Sequence, residues 1–218
     1  MTKTILLVHT GDGSQWVWPH WYRYWRRNWT GASLIDTVWL SENADPKFEG
    51  IFSIRPGGKT WGEQLILGLQ QIDAKYVIYW HEDYFLVERP DLAKITGLVN
   101  IMDREKIVLL KACGAWMGCV DPKNPPAPSG MFYQDEELVV YNNKSDYLIS
   151  HQSSIWEKDF LSSTVRKNDS PWQHETNGSN RLKERNIPLY AYRGYPPLSY
   201  TETVCGGKTR EGMEGYFK

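Results

Sequence analysis

Hydrophobic and polar positions along the chain fall into two rhythms that take turns. Thr4 to Val8 is a short apolar run of the kind expected for a strand buried on both faces. From Trp16 to Trp29 the positions Trp18, Trp21, Tyr22, Trp25 and Trp29 recur at helical intervals and predict a helix with one aromatic side. Leu34 to Leu40 is strand-like again. Thr60 to Ile72 predicts the next helix, because Thr60 and Glu63 form a capping box and Trp61, Leu65, Leu69 and Ile72 recur at near-helical spacing. Tyr76 to Trp80 is rich in β-formers, Pro90 opens a helix through Leu92, Ile95, Leu98 and Met102, and Lys106 to Leu110 predicts a further buried strand.

This alternation predicts an α/β fold: one domain over residues 1–218, with a mostly parallel central sheet and helices on both faces. Sheets of that kind bind ligands where loops leave the carboxyl ends of the strands. The second half is less regular. Asp121 to Gly130 reads as a loop, Leu138 to Tyr141 as a strand, Ser154 with Glu157 as the cap of a helix reaching about Arg166, and Leu189 to Tyr192 and Leu198 to Val204 as extended.

Composition narrows the function. Lys plus Arg is 25 against Asp plus Glu at 26, so the chain has no bulk attraction for a phosphate backbone and is not expected to bind nucleic acid. Cys113, Cys119 and Cys205 form no C-x-x-C pair, which argues against a disulfide framework or a cysteine zinc cage and suits a reducing cytoplasm. The first apolar run is too short for a signal peptide or a membrane span. The 11 Trp and 13 Tyr exceed what a core of this size is expected to absorb, which leaves aromatic faces for ligands.

Candidate chemistry collects after the strands. His81, Glu82 and Asp83 follow the Tyr76 strand, and a carboxylate pair at a sheet's carboxyl edge suits a hard divalent cation that neutralises a diphosphate. The same acids also suit a cap for the Pro90 helix or a pairing with Arg89. In Ser170 to Ser179, Glu175 follows Trp172; a carboxylate beside an indole is suited to general-base work and the indole to a sugar face, although a solvated loop acid reads the same way. His151 and Gln152 precede a predicted helix start, where they grip hydroxyls or anions or serve as plain caps. His9, Thr10, Gly11 and Asp12 close the first strand without a G-x-G-x-x-G fingerprint, and P-loop, zincin and serine-hydrolase motifs are absent from the sequence.

Five pieces in order, the first strand with its Trp-rich helix, Thr60 to Leu65, Tyr76 to Phe85, His151 to Leu161 and Pro171 to Glu175, resemble the small bacterial and viral glycosyltransferases of the GT-A type. The resemblance implies a nucleotide-sugar-dependent transferase in which Glu82 and Asp83 stand in for the D-x-D motif, with Asp83 as the metal or ribose contact. His81 occupies the first acidic place of that motif. The resemblance also implies that Glu175 is the base that deprotonates an acceptor hydroxyl in an inverting displacement; His174 stands before it where an aromatic is usual. The expected donor contacts are Thr10, Asp12, Trp61, Gln64, Glu82 and Asp83, and the expected acceptor or sugar contacts are His151, Gln152, Trp172 and His174. The implied cofactor is Mn²⁺ or Mg²⁺ at Asp83, the donor a nucleotide sugar with a UDP-sugar favoured, and the acceptor a glycan or other hydroxyl compound. The competing readings are a non-catalytic carbohydrate-binding protein and a sugar nucleotidyltransferase; against the latter, the loop after the first strand lacks the Gly-rich, basic character that holds a triphosphate.

Overall fold

In β1 (Thr4–His9) successive side chains serve opposite layers: Leu6 and Val8 join one apolar cluster, Ile5 and Leu7 the other, and all four are at most 2% exposed. That alternation builds a three-layer molecule. The computed structural model describes residues 3–29, 35–112, 123 and 125–218. After β1 come α1 (Trp18–Asn28), β2 (Asp36–Leu40), β3 (Phe52–Ile54), α2 (Trp61–Gln70), β4 (Tyr76–His81), β5 (Tyr84–Leu86), α3 (Leu92–Glu105) and β6 (Leu109–Lys111). The second half adds the hairpin of β7 (Ala127–Tyr133) and β8 (Glu136–Val140), then β9 (Ser154–Glu157) and α4 (Lys158–Thr164). A helix then runs through α5 (Pro171–Gln173), a π-helical turn (His174–Gly178) and α6 (Ser179–Arg185), followed by β10 (Tyr190–Tyr192), β11 (Tyr200–Glu202), β12 (Val204–Cys205) and β13 (Lys208–Thr209).

Nine strands form the central sheet in the order β3-β2-β1-β4-β9-β6-β10-β8-β7. Only β9 and β8 run against the others, as their antiparallel pairings with β4, β6, β10 and β7 require. The four strands expected from the first half are all present and mutually parallel, although Leu34 lies outside the described residues. Trp18 and Trp21 of α1 and Ile95 and Leu98 of α3 pack on one face, and Leu65 of α2, Leu161 of α4 and Leu182 of α6 pack on the other. Helices therefore cover both faces, as the alternation predicts.

Three expectations are corrected. Ser154 does not cap a helix: Ser154–Glu157 is β9, the strand inserted between β4 and β6. Ile155 fills one core layer and Trp156 the other, a period of two that only a strand between two covered faces satisfies. The cap falls on Glu157, whose carboxylate accepts from the Phe160 N–H at 2.6 Å. Within Asp121 to Gly130, read as a loop, β7 already begins at Ala127; residues 121, 122 and 124 lie outside the described residues, as do Cys113 and Cys119. The core also absorbs more aromatic side chains than expected, since Trp18, Trp21, Trp29, Trp39, Trp80 and Trp156 are all buried. Among the described residues no helix is long and apolar enough to cross a membrane.

Candidate functional site

Strand register gathers the polar residues at one edge. His9, the last residue of β1, lies directly opposite His81, the last residue of β4. Because β9 enters antiparallel, with Ser154 opposite both Tyr79 and Lys111, the segment His151–Ser153 arrives at that same edge. The Ala112 N–H donates to the Ser153 carbonyl at 2.9 Å and fastens the end of β6 there. The carboxyl edge is thus built from four separated stretches of sequence.

Four of the five histidines meet at this edge. His9 stacks on Trp61 with ring centroids 5.2 Å apart, and its Nδ1 is 2.9 Å from the Tyr79 hydroxyl. His151 lies against Trp61, Tyr79 and His81, and its Nε2 is 2.8 Å from Nδ1 of His174. Nε2 of His174 is in turn 2.9 Å from the Thr164 hydroxyl. Burial holds the four rings neutral, taking His9 and His174 down to about 3, His81 to about 4 and His151 well below its ordinary value.

The carboxylates are pushed the other way. Burial raises Glu82, with Ser14 and Thr10 opposing. Asp83 rises well above the ordinary carboxylate range through burial and the charges of Glu82 and Glu202, while Arg210 opposes. Glu175 is raised chiefly by burial and slightly by Glu202, against the His151 N–H and Lys111. Its Oε1 accepts from that N–H at 2.7 Å. Glu175 sits on the π-helical turn, whose carbonyl at Glu175 accepts from Ser179 while the Ser179 hydroxyl accepts from the Ile149 N–H at 2.8 Å. A widened turn of this type is common at functional sites.

No family model matches the chain, and no curated protein matches its sequence. Solved structures do. S. aureus TarS 1-349 aligns with a TM-score of 0.51 at 13% identity, covering 91% of this chain and 59% of its own. A cytidylyltransferase from Leptospira borgpetersenii gives 0.53 at 10% identity, covering 93% and 82%. UTP-bound UGPase from Acinetobacter baumannii gives 0.50 at 8% identity, covering 100% and 92%. The fold is GT-A-like. The chain spans about three fifths of TarS 1-349.

On the GT-A-like scaffold the acidic stretch after β4 fits a divalent cation. One ligand atom from each of His81, Glu82 and Asp83 lies within 4.8 Å of the others, and Nε2 of His81 is enclosed with no hydrogen-bond partner among the described residues. Two burial-raised acids beside a neutral imidazole make a donor set that a cation stabilises. The structure joins Trp61, His151, His174 and Glu175 in one group and Thr10, Glu82 and Asp83 in another; Tyr79 feels the charges of Glu82, Glu175 and Asp83 together. Gln64 is buried beside His9, donating to the Gly58 carbonyl at 3.1 Å. The Asp12 carboxylate is occupied with the N–H groups of Asn43 and Ala44 at 3.2 Å, the Gln152 carbonyl accepts from Ser154, and Trp172 is 66% exposed on α5. Both ring nitrogens of His174 are engaged by protein groups. The sequence pattern singles out neither Lys111 nor Glu202 nor Arg210, because nothing local marks the last residue of β6, the last residue of β11 or the residue after β13 as a neighbour of Glu175 or Asp83.

Proposed function

We propose that this protein is a glycosyltransferase that moves a sugar from a nucleotide-sugar donor, a UDP-sugar being favoured, to an acceptor hydroxyl with inversion. The observation that carries the reading is Glu175: a burial-raised carboxylate, one oxygen fastened on the His151 N–H, at the same sheet edge as Glu82 and Asp83. A raised carboxylate is closer to the operating pH and is the better general base. Glu175 takes the proton of the acceptor hydroxyl as its oxygen forms a bond to the anomeric carbon. The bond from that carbon to the diphosphate breaks on the opposite face, so the anomeric configuration inverts and the nucleoside diphosphate leaves with the electron pair. Arg210, the cation that acts on Asp83, favours the negative charge of that leaving group. Asp83, with Glu82 and His81, would hold Mn²⁺ or Mg²⁺, which supplies charge neutralisation for the diphosphate. Gln64, Thr10 and Asp12 belong on the donor side, and His151, Gln152 and the exposed indole of Trp172 on the acceptor side, a glycan or another hydroxyl compound, with Trp61, which touches His9, His151 and His174, between the two.

A sugar nucleotidyltransferase is the second reading, favoured by the likeness to the cytidylyltransferase and UGPase structures. Residues 10–22 after β1 contain no Lys or Arg, which weighs against triphosphate binding there. Product analysis separates the two. Incubation with UDP-, GDP-, CMP- and dTDP-sugars and a hydroxyl acceptor should release the free nucleotide from a donor and extend the acceptor. Release of pyrophosphate from a nucleoside triphosphate and a sugar phosphate would replace the transferase by the nucleotidyltransferase, and sugar binding without turnover of either kind would leave a carbohydrate-binding protein.

A further inference from the structure

Hydrogen-bond direction fixes where two buried imidazoles carry their protons. Thr164 donates its hydroxyl proton to the Leu161 carbonyl at 2.7 Å. A hydroxyl has one proton, so towards Nε2 of His174, 2.9 Å away, the same oxygen is the acceptor. His174 therefore holds its proton on Nε2 and offers Nδ1 as a lone pair. Across 2.8 Å that lone pair receives the proton of His151 Nε2. A neutral His151 protonated on Nε2 has a bare Nδ1, and among the described residues no group donates to it.

The backbone of His151 is tied to the same device. Its N–H holds Oε1 of Glu175, and Glu175 follows His174 in the π-helical turn. The turn is wedged in place: a side chain at Gly178 would meet Ile149 at 2.9 Å and the His174 ring at 3.1 Å. On the far side Arg181 bonds the Thr164 carbonyl at 2.8 Å and Asp169 at 2.6 Å, so the loop between α4 and α5 cannot slide without breaking the relay.

We propose that Thr164 and His174 are positioning residues that lock His151 in the Nε2–H tautomer, so that His151 Nδ1 stands as a hydrogen-bond acceptor for a hydroxyl of a neutral ligand. The ligand class rests on the transferase reading above; the tautomer does not. A bare imidazole nitrogen is satisfied by a sugar hydroxyl, which donates, and is poorly matched to a carboxylate in that place, which brings only further acceptors. The nitrogen thus favours a neutral sugar over its uronic acid counterpart.

Long-range proton–nitrogen spectra of the histidine rings read the tautomers directly. The expected result is Nε2–H on both His151 and His174 at neutral pH. Thr164→Val, which removes the acceptor while keeping the shape, should destroy that pattern at His174 and lower turnover by about 10- to 100-fold without changing the affinity for UDP, and Thr164→Ser should restore both. Binding of neutral sugars should exceed that of their uronic acid counterparts. Nδ1–H on either ring of the folded wild-type protein overturns the proposal, as does a Thr164→Val protein with wild-type spectra and turnover. Preferential binding of acidic sugars overturns the ligand class. If the wild type transfers no sugar at all, the reaction assigned to Glu175 fails, and the ring spectra still decide the relay.

Discussion

At Asp83, burial and the charges of Glu82 and Glu202 act in the same direction, and Arg210 offsets them only in part. A carboxyl whose folded value is raised costs stability as the pH climbs from its ordinary range up to that value, because the unfolded chain ionises there and the fold resists ionisation. A bound cation removes the cost. Mn²⁺ should therefore raise the melting temperature at neutral pH, by an amount equivalent to about 2.7 kcal/mol at a concentration 100 times its dissociation constant. Asp83→Ala should abolish that shift and weaken UDP-sugar binding. A donor affinity that calorimetry finds indifferent to EDTA would remove the metal and leave Asp83 as a ribose contact. At this scale the sequence was readable where chemistry is local: Glu82 and Asp83 follow an apolar run, and Glu175 follows a Trp-containing turn. The relay through Thr164, His174 and His151 was not, because each partner belongs to a different segment and only packing aligns their ring nitrogens.

Elements meet most tightly where α2 begins. The Gly62 N–H donates to the Asp169 carbonyl at 3.1 Å, and a Cβ on Gly62 would stand 2.1 Å from the Arg166 carbonyl oxygen. Backbone rather than a yielding side chain occupies that space. Gly62→Ala must push α2 away from the loop that carries Asp169, and should lower stability by about 1–3 kcal/mol, measured by urea denaturation. Trp61, the neighbouring residue, covers three of the clustered histidines, so its fluorescence should change with it. The helices α1, α2 and α3 were legible from periodicity because each shows a single buried face. By contrast β9 was misread: its Ser and Glu sit at capping-box spacing, and only the two-sided burial of Ile155 and Trp156 reveals a strand. The short strands β3 and β5 carry too few residues to show a period.

For the whole molecule the four neutral histidines set a pH limit. Burial holds all four below the ordinary 6.5, so the stability they protect is fully present above 6.5 and is lost as the pH falls towards the folded values, about 3 for His9 and His174 and about 4 for His81, with His151 displaced in the same direction. One unit below 6.5 each such group costs about 1.4 kcal/mol, on the order of 5 kcal/mol together, comparable with the entire stability of many domains. Thermal melts between pH 7.5 and 5 should therefore show a steep decline, and a flat profile would mean that the rings are not held neutral by the fold. Global topology was legible too, since strand and helix alternate in the first half, while the antiparallel insertion of β9 that delivers His151 to the edge depends on pairing no local pattern encodes. The central claim, that Glu175 is the base of a sugar transfer at this edge, meets its most direct test in the kinetics of Glu175→Gln. Glutamine keeps the shape and the acceptor oxygen for the His151 N–H but has no basicity, so turnover with the donor found active should fall ~10²–10⁴-fold while donor affinity stays unchanged. Wild-type turnover in Glu175→Gln would contradict the assignment, and an equal loss of donor affinity and rate would make Glu175 a structural support of the edge instead.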